Sequence, residues 1–169
     1  MYERPEDLAE MQAIIDDSYA TATAHLLTIH EPERRLDAVA VASELVGMRL
    51  LVLATAARDG RPITSPVDGI FYRGRFHFGS SPESVRFRHI RERPNVSATH
   101  LPGEHLAITV HGTAEVIDVN APEHAEFRQT LLDIYLPRYG DSWLRILEGG
   151  TFARIHPRRM FTFSMHDPA

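Results

Sequence analysis

Apolar residues at Leu8, Met11, Ile15, Ala22, Leu26 and Ile29 recur at steps of three and four, or their sums. That period predicts a helix from about Pro5 to Ile29 with one apolar stripe. Pro5 suits its first turn, and Glu6 and Asp7 complement its positive end. Glu31-Pro32-Glu33 breaks the stripe, and a second helix is predicted over Leu36 to Val46, ended by Gly47. The texture then changes. Arg49 to Ala56 (RLLVLATA) reads as a buried strand, followed by turn chemistry at Arg58-Asp59-Gly60-Arg61. Pro62 to Tyr72 reads as a second strand whose two prolines, Pro62 and Pro66, limit its ladder pairing. Arg73-Gly74-Arg75 turns into a third strand, Arg75 to Phe78. A Gly79–Pro82 loop opens a short helix, Glu83 to Arg93, stopped before Pro94. Two further strands, Asn95 to Leu101 and Leu106 to Val119, flank Pro102-Gly103. Pro122 to Tyr135 is an amphipathic helix with Phe127, Leu131, Leu132 and Tyr135 on one face. Asp141 is placed to cap a turn through Trp143 and Leu147. The last strand runs from Phe152 to about Ser164, bent at Pro157.

No alternation of strand and long helix supports a parallel sheet, so the order predicts an α+β or mostly-β antiparallel barrel. Residues 1–47 form a helical extension and 48–169 the barrel domain, together one globular unit. At 169 residues the chain buries about 70% of its unfolded-state surface and needs no staples. It has no cysteine, which excludes disulfides, thiolate metal sites and a cysteine nucleophile. The net charge of −5 argues against a nucleic-acid partner. All 18 basic residues are arginine, so any phosphate that a lysine would hold elsewhere must meet a guanidinium here. The opening MYERPEDLAEM is too charged for a secretory core, and no apolar run approaches the roughly 20 residues that span a bilayer. The expectation is a cytoplasmic protein with no membrane partner.

Phe76 to Pro94, FHFGSSPESVRFRHIRERP, carries the most chemistry. A strand ends in small residues, then opens a helix with Ser84 in its first turn and Arg86 and Arg88 just beyond. Free N–H groups and the positive helix end favour an anion there. Ser80, Ser81 and Ser84 carry donor hydroxyls, and Arg86 offers a bidentate, charge-assisted contact to a phosphate. The plainer reading is that Ser81 or Ser84 caps a surface helix and the arginines face water.

ATAARDGRPITSPV, FHFGSSPESVRFRHIRERPNVSA and VHGTAEVI together resemble the pyridoxamine 5'-phosphate oxidase-like family of flavin-binding split β-barrels. Leu51 to Val119 carries the resemblance, and ARIHPRRMFTF is similar to the family's closing strand. The resemblance implies a six-stranded antiparallel split β-barrel with helices packed on it. It also implies a homodimer with one cofactor in each of two clefts between subunits. Arg86 then replaces the family's phosphate-binding lysine, with Ser84 as the helix-start serine and Arg88 beside them. Phe78, Gly79 and Ser80 fall on the loop next to the ribityl phosphate. Thr64, Ser65, Pro66 and Val67 fall on the strand whose backbone lines the isoalloxazine edge. The implied cofactor is flavin mononucleotide (FMN), with a deazaflavin coenzyme as the alternative. The implied activity is hydride transfer to or from a small molecule.

The chain departs from the family's vitamin B6 oxidases. They have arginines where Ser65 and Val85 stand and a glutamine where Ala107 stands, and their C-terminal Arg-x-His segment is not reproduced by His166 alone. Vitamin B6 oxidation is therefore not expected. Candidates for the substrate side are His100, His105, Tyr139 and Trp143, with Trp143 also readable as a packed aromatic. No catalytic residue is identifiable. The ten histidines show no paired helical spacing and no HExxH, so no metal site is expected. A non-catalytic flavin or haem carrier and an empty barrel are the competing readings.

Overall fold

The computed structural model describes residues 1–165, so His166 lies outside the described residues. Met48–Ala56 (β1) and Pro62–Tyr72 (β2) form an antiparallel hairpin in register from Met48–Ile70 to Ala56–Pro62. Arg75–Ser80 (β3), Asn95–Gly103 (β4), Leu106–Ile117 (β5) and Thr151–Ser164 (β6) complete a closed barrel, in the order β1-β2-β3-β6-β5-β4. The expected six-stranded barrel is therefore observed.

Period-two burial divides the wall. Leu51, Leu53, Val67, Phe76, Phe78, Val96, Ala98, Ile108 and Val110 fill the interior. Leu50 and Val52 point outward and are exposed, so β1 is not the buried strand its apolar run predicts. A second apolar layer lies outside the wall. Phe127, Leu131 and Tyr135 of Ala125–Tyr139 (α5), with Trp143 and Leu147 of Ser142–Gly149 (α6), pack against Ile70, Ile117 and Phe152.

The predicted N-terminal helix is two helices. Pro5–Ala20 (α1) ends at Thr21, and Ala24–Ile29 (α2) starts afresh because the Thr23 side chain accepts from the Leu26 N–H. Ala38–Glu44 (α3) is capped by Asp37 rather than beginning at Leu36. Val85–Glu92 (α4) begins two residues later than predicted because Ser84 is its N-cap. The helix predicted from Pro122 opens as a 3₁₀ turn, Pro122–His124, and becomes α-helical at Ala125.

β3 is too short to close the wall along its full height. It pairs with β2 only at residues 69–72 and with β6 only at residues 151–154. Residues 62–68 of β2 and 155–164 of β6 thus lack a strand partner on facing sides. An unpaired edge must be covered or blunted. α1 covers that of β6. Ser18 Oγ accepts from the Met160 N–H at 2.9 Å, and Tyr19 Oη accepts from the Thr162 N–H and donates to its carbonyl. Met11, Ile15 and Tyr19 join the interior cluster, so the N-terminal helices share the barrel's core.

Candidate functional site

The open edge of β2 faces the start of α4. Pro66 suits an unpaired stretch because it has no N–H to leave unsatisfied. Its carbonyl accepts from a guanidinium nitrogen of Arg86 at 3.3 Å. Ser84 Oγ accepts from the Phe87 N–H and so caps α4, while its hydroxyl proton remains available to donate. Partial burial draws the Arg86 pKa down, although an arginine stays charged regardless. Among the described residues Arg86 has no carboxylate partner. A partly desolvated, uncompensated cation beside a helix N-terminus favours an anion.

Beside this edge lies a cavity of about 380 Å³, lined by Asp68 of β2, Gly79 and Ser80 of β3, Ser81, and side chains of α5 and α6. Its back wall is an aromatic stack. Trp143 lies on Tyr135 with centroids 4.6 Å apart and planes 11° apart, and Tyr139 continues the stack at 6.1 Å. Burial raises the Tyr135 hydroxyl's pKa, and the Asp68 carboxylate adds to the effect. Arg145 brings a cation to the same cavity. A planar, partly charged molecule suits such walls, and the volume is within the usual range for small-ligand sites.

The sequence-derived candidates divide on this geometry. Gly79, Ser80 and Trp143 line the cavity, Arg86 meets Pro66, and Thr64 and Pro66 face outward on the open strand. Ser65 and Val67 alternate to the inward side, and Phe78 is buried in the barrel. The side chains of these three turn away from the open edge. Gly79 has a packing reason to be glycine, since a Cβ there would sit 2.7 Å from the Phe152 ring. Arg88, two residues from Arg86, is exposed and faces elsewhere. His100 does not face the cavity. It is buried on the inward side of β4, with Nδ1 2.9 Å from the Leu50 carbonyl. Tyr139 is exposed at the outer end of the stack, and His105 is exposed in the β4–β5 turn.

Asp68, Tyr135 and Arg145 were not legible as site residues. Asp68 is the next outward position after Thr64 and Pro66, so strand alternation carries that signal. For Arg145 nothing in the sequence does, because α6 reaches β3 only through tertiary packing. No group of three or more His, Cys, Asp or Glu among the described residues is arranged to hold a metal ion. No helix of the described chain is long and apolar enough to cross a membrane.

A family model for pyridoxamine 5'-phosphate oxidase matches residues 39–164. No curated protein matches the chain. Among solved structures it is similar to the conserved hypothetical protein Rv2991 from Mycobacterium tuberculosis, at 19% identity and a TM-score of 0.66, covering 82% of this chain and 95% of that one. It is similar to an FAD-binding protein from Mesorhizobium loti at 22% identity and a TM-score of 0.60, covering 79% and 98%. It is also similar to the heme storage protein HutZ from Vibrio cholerae at 16% identity and a TM-score of 0.58, covering 69% and 86%.

Proposed function

The chain belongs to the pyridoxamine 5'-phosphate oxidase family, and from that premise we propose that it is a homodimeric, FMN-dependent oxidoreductase acting on a small molecule. The observation that carries this reading is Arg86, uncompensated among the described residues and held on the Pro66 carbonyl. That contact ties a phosphate-suited helix start to an open strand whose backbone can meet a flat ring. Ser84 and Arg86 would take the cofactor's phosphate. Thr64 and Pro66, the outward positions of the open strand, would line the ring's edge. A bound flavin supplies the electron transfer, while the chain supplies orientation and exclusion of water. The stack of Trp143 on Tyr135, with Asp68 and Arg145 nearby, would form the substrate side of the cleft.

Family membership does not bring vitamin B6 oxidation with it. Ser65 is turned inward and Val85 is an exposed aliphatic residue, where such oxidases carry arginines. A deazaflavin coenzyme is the second reading, because it shares a phosphorylated tricyclic core and the Arg86 site does not select between them.

Visible-absorption titration with FMN, a deazaflavin and haem tests the assignment. Saturation by FMN near one per chain is expected. Arg86→Ala should weaken it about thirtyfold, roughly 2 kcal/mol for a lost charge-assisted contact, with the far-UV circular dichroism unchanged. Equal FMN affinity in the variant removes the phosphate assignment, and preference for haem replaces the enzyme reading with a carrier.

A further inference from the structure

A small cavity of about 220 Å³ lies beside the β2–β3 turn, where α1, the Pro122–His124 turn and α5 meet the outer face of the wall. Arg73, Arg75, His77, Glu123 and Glu126 belong to its polar lining, and Tyr72 and Phe127 give it aromatic walls. His77 alternates with Phe76 and Phe78, which fill the barrel, so its ring points outward on β3 and meets those two aromatic rings. Only 5% of His77 is exposed. Its Nδ1 lies 3.0 Å from the Arg75 carbonyl and carries the proton there, which leaves Nε2 as a lone-pair acceptor. Nε2 has no partner among the described residues, yet it is not sealed off. The one enclosed side-chain polar atom without a partner is Arg75 Nε, so Nε2 opens on the cavity.

Most charges around the cavity are satisfied by one another. Arg73 donates to Asp7, and Glu126 accepts from Arg4 at 3.0 Å and from the Tyr72 hydroxyl at 3.3 Å. Arg75 uses one guanidinium nitrogen on Glu10, and Arg154 is held by Glu115. Among the described residues Glu123 makes no ion pair. What remains is an acceptor at His77, a carboxylate at Glu123 and the unused N–H groups of Arg75. Burial, and then the charges of Arg154 and Arg75, lower the His77 pKa to about 3 against the opposing bond to the Arg75 carbonyl. Those guanidinium charges also disfavour a cation at Nε2, so the group that donates there must be uncharged. It must accept as well, because Arg75 stands two residues away on the same face of β3. An amide nitrogen donates without accepting, whereas a hydroxyl does both through one oxygen.

We infer that this cavity binds a small uncharged polyol, with one hydroxyl donating to His77 Nε2 and accepting from Arg75, and another donating to Glu123. The volume is below the roughly 300–1,000 Å³ usual for drug-sized ligands, which suits a molecule of a few carbons. The site uses neither α4 nor the open stretch of β2. It stands whether or not Arg86 holds a cofactor.

The test is titration of the full-length protein with glycerol and with myo-inositol, read at the His77 ring nitrogens by nuclear magnetic resonance. Saturable movement of the Nε2 resonance is expected with at least one of the two polyols, while acetamide and n-propylammonium leave it still. Glu123→Ala, on an exposed turn, should leave the fold intact and weaken binding about tenfold, the loss of one hydrogen bond to a charged group. His77→Phe keeps an aromatic ring between Tyr72 and Phe127 and should abolish polyol binding in ligand-observed saturation-transfer spectra. Absence of saturation at about 0.1 M polyol overturns the inference, as does binding of equal strength in both variants. Saturation by acetamide or n-propylammonium as tight as by the polyol assigns the cavity to another ligand class and overturns it too.

Discussion

His77 is the residue with the clearest physical consequence for the whole protein. It is enclosed on β3 between Tyr72 and Phe127, its ring 4.2 Å from that of Phe127. Its Nδ1 lies 3.0 Å from the Arg75 carbonyl, which only accepts, so Nδ1 carries the proton and the ring is neutral. Burial lowers its pKa from 6.5 to about 3. The unfolded chain binds a proton at this ring below about pH 6.5 and the folded chain does not. Stability is therefore lost as pH falls from 6.5 toward 3, by about 2 kcal/mol between pH 7 and pH 5. His77→Gln keeps a donor for Arg75 but does not titrate. Urea midpoints should show the wild type losing this increment relative to the variant over that interval. Parallel pH profiles would place the acid sensitivity elsewhere. At the same scale, the helix start at Ser84 was legible in the sequence because an N-cap is a local feature. His100 turns inward onto Leu50 because a histidine's face depends on strand parity, which the residue type alone does not reveal.

At the scale of elements, the short β3 decides the architecture. It leaves two edges open, and α1 and α4 serve the two differently. α1 satisfies the β6 edge with side chains alone, and the Tyr19 hydroxyl serves both the N–H and the carbonyl of Thr162. Tyr19→Phe leaves the buried Thr162 N–H without its partner, while the carbonyl keeps His30 Nδ1 at 2.9 Å. The expected cost is about 1–3 kcal/mol in denaturant unfolding. A change below half a kilocalorie would show that water replaces the hydroxyl and that the edge is not dry. Most strand limits were readable because turn residues punctuate the sheet at Gly60, Gly74 and Pro102. The split between β2 and β6 was not readable from the residues themselves, since which edge goes unpaired depends on how far β3 reaches. The bend expected at Pro157 is present, but where it falls depends on the β5 register.

At the scale of the molecule, the outer wall of β1 and β4 has the wrong chemistry for a surface in water. Leu50, Val52 and Leu101 are 61%, 49% and 59% exposed, and Val52 lies in register between Pro66 and Thr99. The apolar run from Leu50 to Leu53 predicts burial on both faces, and a single chain buries only one. The proposed homodimer would bury the other, and it would place a second subunit beside the Pro66 edge where the cofactor is proposed to bind. A contiguous apolar patch of this kind marks an interaction surface, and in a two-fold dimer one substitution alters both sides of the contact. Val52→Arg should therefore leave the fold intact, because the side chain already points outward. It should shift the protein in gel filtration from a dimer toward the 19.1 kDa monomer. FMN affinity should fall with it even though Arg86 is untouched, because the cleft loses one wall. A monomeric wild type, or a variant that dissociates yet binds FMN as before, would mean that one chain holds the cofactor alone.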